Sequence, residues 1–405
     1  MIEKLYKVFE NPICDECLGR QFSQLLSGTT NEQRGKTLRT FFAMLIDAKG
    51  ETDNIDMSNF YGFNFHNEKL NNVKIDKPGT CKICNGFFNN IDFWIKKIVR
   101  KMKKYEFKTF LIGTTLSSDL LNREENLWEN IGVDFCEPIK SNINRVIGKE
   151  IEKRMKKSAD PKNPDINAII DIPKKDVRIQ INPLFIYGEY RKLVRGIPQT
   201  KWPSGKYRTS VEQIIAKPLM KLTKGEEHKF HGLGREDIDA RCLAWRPFVL
   251  EITEPKKRFF NLKKIEKMIN ENKKVVVRKL TESNISKVRE IKEMKSDKEY
   301  RITVIPDRDI SRDELKKIKS IIGTVRQKTP TRVLHRRSDK IRKRDVKDAK
   351  VKYINKRMFQ LTVRCEAGLY IKELITGDNG RTKPSVSEIL GCNCKFKDLD
   401  VLNIY

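Results

Sequence analysis

The sequence predicts an α+β protein of two or three domains. Helix-like and strand-like segments alternate between residues 105 and 182, and strands dominate beyond residue 207, separated by charged helices. At 405 residues, the chain is long enough for that number of domains at roughly 100 to 200 residues each. Its 38% hydrophobic content is enough to build their cores.

Taken in order, residues 1–50 have helical apolar spacing through Phe22, Leu25 and Leu26, then Phe41, Phe42, Leu45 and Ile46. A polar, Asn-rich stretch follows. Phe88, Ile91, Trp94, Ile95, Ile98 and Met102 mark one helical face, residues 106–113 read as a strand, and Ile143, Val146, Ile147 and Ile151 mark another helix. Residues 158–164, with two prolines and an asparagine, form a loop by composition before strands at 166–172 and 177–181. Two prolines and two glycines disfavour regular structure over residues 195–207, which predicts a linker. Beyond it, residues 247–253, 274–280, 300–305 and 358–365 are β-rich, with a charged helix at 313–322.

Charge narrows the partner. With 84 Lys+Arg against 54 Asp+Glu, the formal charge is +30, a field that attracts a polyanion along its length. Nucleic acid is the expected partner. No apolar run approaches the roughly 18 residues of a spanning helix, and the first ten residues contain acids rather than an apolar leader, so the expectation is a soluble, cytoplasmic chain with no membrane partner. The basic run from His335 to Arg344 is either a solvated face or a phosphate-contacting loop.

Nine cysteines in an intracellular chain argue for thiols or metal rather than disulfides. Cys14-Asp-Glu-Cys17 and Cys81-Lys-Ile-Cys84 are two knuckles that each offer two thiolates to one tetrahedral ion, with Gly86 easing the turn after the second. One structural zinc bound by Cys14, Cys17, Cys81 and Cys84 is expected, the knuckles meeting across an inserted helical segment. A redox pair is the rival, but neither knuckle has a strand-to-helix setting. Cys136, Cys242, Cys365, Cys392 and Cys394 lack such pairing and are expected to be buried thiols.

The segment His231-Gly-Leu-Gly-Arg-Glu-Asp-Ile-Asp239 sets Asp237 between a Gly-Arg turn and a strand, which suits a buried nucleophile. Arg235 and Arg241 are expected to keep its carboxylate ionised. A charge-rich surface turn is the plain alternative. Two later segments place an aromatic ring beside a basic residue: Lys298-Glu-Tyr-Arg301 at a strand start, and Cys365-Glu-Ala-Gly-Leu-Tyr-Ile-Lys372 at a strand-to-helix turn. Tyr300 can stack on a base pulled from its helix, while Gly368 lets backbone approach closely as Tyr370 and Lys372 reach into a site. Ordinary packing is the alternative for each tyrosine.

Taken together, these segments resemble the archaeal and eukaryotic tRNA pseudouridine synthase family that acts on T-arm positions 54 and 55, and the archaeal branch in particular. The residues that carry the resemblance are the run from Asn182 to Pro203, Gly234-Arg-Glu-Asp-Ile-Asp239, Arg246-Pro-Phe248, Lys298-Glu-Tyr300, and Gly377-Asp-Asn-Gly-Arg-Thr-Lys-Pro-Ser385. They span most of the chain from about residue 180 onward, and the front half is similar to the family's zinc and THUMP-type RNA-binding module. The resemblance implies three regions: helical and zinc-knuckle (1–104), THUMP-like (105–182) and catalytic (183–405), the last on a mixed, mainly antiparallel sheet with a cleft across one face. It implies Asp237 as nucleophile, Tyr300 and Tyr370 as contacts to the target uracil, Lys372 as the base paired with the carboxylate, and Arg235 among the substrate-binding residues. Many members carry further Cys-x-x-Cys pairs after the Trp-Pro, whereas here Ser204-Gly-Lys-Tyr207 follows directly, so no second metal site is expected.

The implied reaction breaks the N-glycosidic bond of uridine, rotates the uracil and rejoins it through carbon, through a covalent aspartate adduct with a flipped-out nucleotide and no organic cofactor. Two alternatives remain: a tRNA-binding or chaperoning protein without turnover, and a THUMP-containing RNA methyltransferase. For the latter, Gly232-Leu-Gly234 lacks a preceding apolar strand and the third glycine of a cofactor loop. A sulfur-transfer enzyme would need a Gly-Gly nucleotide loop, which the sequence does not contain.

Overall fold

The structure, a computed structural model, describes the backbone of all 405 residues and every side chain except that of Arg336. The chain divides into two compact units, Met1–Asn182 and Pro183–Tyr405.

The first unit begins with helices α1 (Ile2–Val8), α2 (Asp15–Gly19), α3 (Asn31–Lys49) and α4 (Ile91–Met102). It continues with β1 (Thr109–Thr115), α5 (Ser118–Ile131), α6 (Ile139–Met155), β2 (Ser158–Ala159), β3 (Ile166–Asp171) and β4 (Asp176–Ile181). A capping box starts α3: the Thr30 side chain accepts from the Gln33 N–H while the Gln33 side chain accepts from the Thr30 N–H, and left-handed Gly50 ends the helix. The sheet runs β2-β1-β3-β4, with β1 parallel to β2 and β3 and β4 antiparallel to β3. Alternation on β1 and β3 buries Phe110, Ile112, Ile166, Ala168 and Ile170 in one core with Ile95 and Ile98 of α4 and Ile143, Ile147 and Ile151 of α6.

The second unit comprises β5 (Leu184–Lys192), α7 (Val211–Thr223), β6 (His228–Gly232), β7 (Ala240–Ile252), α8 (Leu262–Asn270), β8 (Val275–Ser283), α9 (Ile285–Glu293) and β9 (Lys298–Pro306). Then come α10 (Arg312–Lys316), β10 (Gly323–Lys328), β11 (Ile341–Asn355), β12 (Met358–Cys365), α11 (Ile371–Thr376), β13 (Thr382–Lys383), α12 (Val386–Leu390) and β14 (Cys394–Ile404). Nine of its strands run in the order β13-β10-β11-β12-β9-β14-β7-β5-β8, with β6 also on β7. Only the β7–β14 pair is parallel, so the sheet is mixed and mainly antiparallel as expected. Two apolar clusters sit at either end: Ile186, Phe248, Leu250 and Ile252 against Ile215, Leu219 and Ile265, and Ile302, Leu361 and Val363 against Leu374, Ile375 and Val386.

Two expectations change. Residues 195–207 are not a linker but a loop inside the second unit, where the Gly196 N–H donates to the Ile238 carbonyl at 2.9 Å. The helix expected at 313–322 is α10 followed by a 3-10 turn, Lys317–Ile321. Among the described residues, no helix is long and apolar enough to cross a membrane.

Candidate active site

Asp237 lies in the loop joining β6 to β7, and side chains beneath that loop hold its backbone. Gly234 takes φ +66°, a left-handed geometry that costs glycine little. The buried Lys192 ammonium, at the end of β5, donates to the carbonyls of Asp237 (2.9 Å), Ile197 (3.0 Å) and Ile238 (3.3 Å). It stands 3.8 Å from Glu236, whose side chain is fully buried. Glu236 also accepts from the Tyr190 hydroxyl at 2.9 Å and lies 3.1 Å from Nε of buried Arg246. Arg246 donates to the Leu233 carbonyl at 2.6 Å, and Gln199 donates to the Gly234 carbonyl at 2.9 Å and the Tyr190 hydroxyl at 2.8 Å. Burial pushes the Tyr190 hydroxyl well up and Lys192 down, the latter against the pull of Glu236. Removing one member of such a network strands the others in a low-dielectric interior.

Above this floor is a pocket of about 560 Å³, whose lining includes Asp237, Tyr300, Tyr370, Lys372 and Arg235. One wall is the sheet itself: Ala240 of β7, Lys298 and Tyr300 of β9, and Leu399 and Val401 of β14, with Ala240 paired to Leu399 and Tyr300 to Val401. Burial raises the Tyr300 hydroxyl above its ordinary value. The turn from β12 into α11 supplies another part of the lining. Gly368 there has φ +91°, and a Cβ would lie 3.5 Å from Arg344 Nε. The backbone of Tyr370 is fixed by the buried Gln327, which accepts from its N–H at 2.8 Å and donates to its carbonyl at 2.9 Å.

Asp237 Oδ2 is 3.3 Å from Lys372 Nζ and 3.7 Å from Arg332 Nη2. Arg332 is itself held by buried Glu373 at 2.7 Å. Arg337, Arg342 and Arg344 complete a cationic rim, and Arg337 donates to the Tyr370 hydroxyl at 2.9 Å. The basic run is therefore not simply a solvated face: three of its arginines line the pocket.

The geometry corrects three expectations about individual residues. Asp237 is not buried, since its side chain is 39% exposed, and the buried acid of the segment is Glu236. Arg241 makes no pair with Asp237; it forms a bidentate bond to Asp400 at 2.8 and 2.7 Å, and Arg195 and Arg301 bind the same carboxylate. Lys372 serves two acids, and the closer is Asp239, at 2.7 and 2.8 Å. Sequence reasoning passed over Asp239, although its position two residues after Asp237 was visible. It also passed over Lys192, Glu236 and Gln199, whose partnership leaves no local pattern.

The first unit brings together the four cysteines of the knuckles. Their sulfurs all lie within 4.8 Å of one another, and Cys14 and Cys84 are 3.7 Å apart. A tetrahedral ion with zinc–sulfur bonds of about 2.3 Å requires sulfur separations of about 3.8 Å. The donor set fits such an ion, and burial pushes the Cys17 thiol well up, a cost that a bound cation would reverse. The second knuckle is tied to the chain just ahead of the first, the Lys82 N–H donating to the Pro12 carbonyl at 2.8 Å, and Gly86 takes φ +73° after the second. Of the remaining thiols, Cys392 is only half-buried, contrary to expectation.

Comparison with known proteins gives two family matches. Residues 185–405 match the family described as Pus10, C-terminal, and residues 94–171 match the Pus10 THUMP domain, archaeal. A tRNA pseudouridine synthase Pus10 from Methanocaldococcus jannaschii is 41% identical across 97% of this chain and 92% of its own length. Proteins of the same name from Methanothrix thermoacetophila (37% identical, 97% of this chain, 92% of the relative) and Pyrococcus furiosus (36%, 100% and 98%) are similar over comparable spans.

Proposed function

The chain belongs to the Pus10 family of tRNA pseudouridine synthases, and we propose that it isomerises uridine at positions 54 and 55 of the tRNA T-arm, with Asp237 as the nucleophile of a covalent adduct. The observation that carries this reading is a carboxylate kept in the open pocket by a rigid loop, 3.3 Å from one cation and 3.7 Å from another. Two close cations orient the carboxylate, which is the attacking group. The T-arm as target rests on the likeness of the segments from Asn182 onward to the family.

Tyr300 and Tyr370, both in the pocket lining, receive a flipped uracil: Tyr300 by stacking and Tyr370 as a wall held through Gln327 and Arg337. Lys372 aligns Asp237 and divides its charge with Asp239. Arg235, Arg332, Arg337, Arg342 and Arg344 meet the phosphates that flank the extruded nucleotide. The THUMP-type region supplies a further RNA-binding surface. One structural zinc sits on Cys14, Cys17, Cys81 and Cys84, and the reaction uses no organic cofactor. The enzyme works in the cytoplasm.

Mapping of pseudouridine in tRNA after incubation with the purified protein, no cofactor added, tests the activity and the positions together. Product at 54 and 55 is expected, and its absence at both refutes the reading. Metal analysis is expected to find one zinc per chain, with Cys81→Ser lowering that content while the pocket residues keep their function.

A further inference from the structure

One buried charged group of the pocket lining neither holds the loop nor contacts Asp237. Lys298 opens β9 two residues before Tyr300, so both side chains face the pocket from the same side of the strand. Lys298 is buried, yet its ammonium makes one long hydrogen bond, to the Ser296 carbonyl at 3.4 Å, and among the described residues no carboxylate pairs with it. A Cβ on Gly234 would stand 3.9 Å from its Nζ, which places the charge directly beside the loop that carries Asp237. Burial lowers the lysine's hold on its proton, and the neighbouring Arg246 lowers it further. Lys192 is the instructive contrast, since its donors are spent on three backbone carbonyls. An ammonium has three donors, and Lys298 leaves most of its capacity unused inside a pocket, where an unpaired buried charge is costly.

We propose that Lys298 is a catalytic residue that donates to a carbonyl oxygen of the uracil ring and stabilises the negative charge the ring acquires during isomerisation. This rests on the reading of the pocket as a uridine isomerisation site. When the bond between C1′ and N1 breaks, its electron pair stays on the ring and spreads to the carbonyl oxygens, while an Asp237 oxygen bonds C1′. Attack of C5 on C1′ then releases the carboxylate, and the proton lost from C5 ends on N1. If Asp237 adds to ring C6 instead, the pair displaced from the C5–C6 double bond also reaches a carbonyl oxygen. Either route places anionic charge on an oxygen, and an N–H donor already fixed in a desolvated site binds that charged form more strongly than the neutral carbonyl.

Single-turnover rates at saturating enzyme for wild type, Lys298→Met, Lys298→Gln and Lys298→Arg, with tRNA carrying uridine or 5-fluorouridine at the target, test the proposal. Met and Gln are expected to lower the rate by about 10²- to 10³-fold with tRNA affinity nearly unchanged, and Arg to recover much of the loss. Fluorine at C5 stabilises the ring anion, so the defect in cleaving the glycosidic bond should shrink by about tenfold or more on the fluorinated substrate. Met and Gln variants within about threefold of wild type overturn the role, as does an equal loss on both substrates, which marks a merely structural lysine. A wild-type protein that forms no pseudouridine overturns the parent reading, and this one with it. An active wild type with unimpaired variants overturns this one alone.

Discussion

The two sides of the Asp237 loop differ in how their polar groups are satisfied. Beneath it, Lys192, Glu236, Arg246, Tyr190 and Gln199 are buried and each bonds to another of them or to a backbone carbonyl, with only Glu236 Oε1 and Arg246 Nε of the group lacking a hydrogen bond and those two acting through charge. Above it, Asp237 is partly exposed, its distances to cations exceed 3 Å, and Lys298 has little to bind. The underside fixes position and the upper side keeps unspent capacity, as expected where a ligand completes the bonding. Adjacent residues divide the two tasks, Glu236 pointing down and Asp237 up.

The comparison breaks most sharply at the upper carboxylate. Asp237→Asn removes the attacking charge and little volume, so pseudouridine formation should fall by at least about a thousandfold while tRNA affinity stays near wild type. Residual turnover within about tenfold of wild type would remove Asp237 from the nucleophile's role.

The underside should answer in stability before chemistry. Lys192→Met leaves Glu236 with a weaker cationic neighbourhood and removes a charged donor from three carbonyls, of which that of Ile197 keeps no other, an expected cost of about 3–5 kcal/mol in denaturant unfolding. Unfolding midpoints indistinguishable from wild type would show that the loop is held by other means.

Tyr300 sharpens the account of the upper side. Tyr300→Ala loses a stacking surface worth about 1–3 kcal/mol per base, whereas Tyr300→Phe keeps the ring and should keep most of the activity. Equal failure of the two variants in single-turnover assays would assign the work to the hydroxyl instead.

A smaller effect is expected at Asp400, which ties the 195–207 loop to the sheet. Burial opposes its ionisation, but bonds from Arg241, Arg195 and Arg301 overcome this and hold the carboxyl at about 2, below its reference value of 3.8. A depressed folded-state value stabilises the fold above the unfolded value, and that contribution disappears as pH falls from about 4 towards 2. Allowing for solvent screening, it amounts to about 1–2 kcal/mol, and acid unfolding of Asp400→Asn should be correspondingly flatter over that range.

The sequence was legible where chemistry is local. The knuckle spacing identified four cysteines that do converge, and the Gly-Arg-Glu-Asp turn placed Asp237 just ahead of a strand. Strands with an apolar face, such as Met358–Cys365, showed in their composition. β11 did not, because Ile341–Asn355 is rich in Lys and Arg and partly exposed along most of its length, so it reads as a charge run. Lys192 and Glu236 are 44 positions apart in the chain, and no periodicity marks a pair joined only through tertiary packing. Arg241 misled for the converse reason: it is close to Asp237 in sequence, but its partner Asp400 lies on a neighbouring strand 159 residues away.

The strand β14 lies between β9 and β7, although every other strand precedes it in the sequence. During synthesis from the N-terminus, the growing chain therefore holds two unjoined half-sheets whose facing edges, β7 and β9, expose unpaired N–H and C=O groups until the last strand arrives. Such edges template pairing with other chains, and closing the gap requires contacts between residues far apart in sequence, which is slow. Leu399 and Val401 reach the pocket wall only in that final insertion. The pocket wall is thus completed in one late step, and the interval before it leaves two sheet edges open to aggregation.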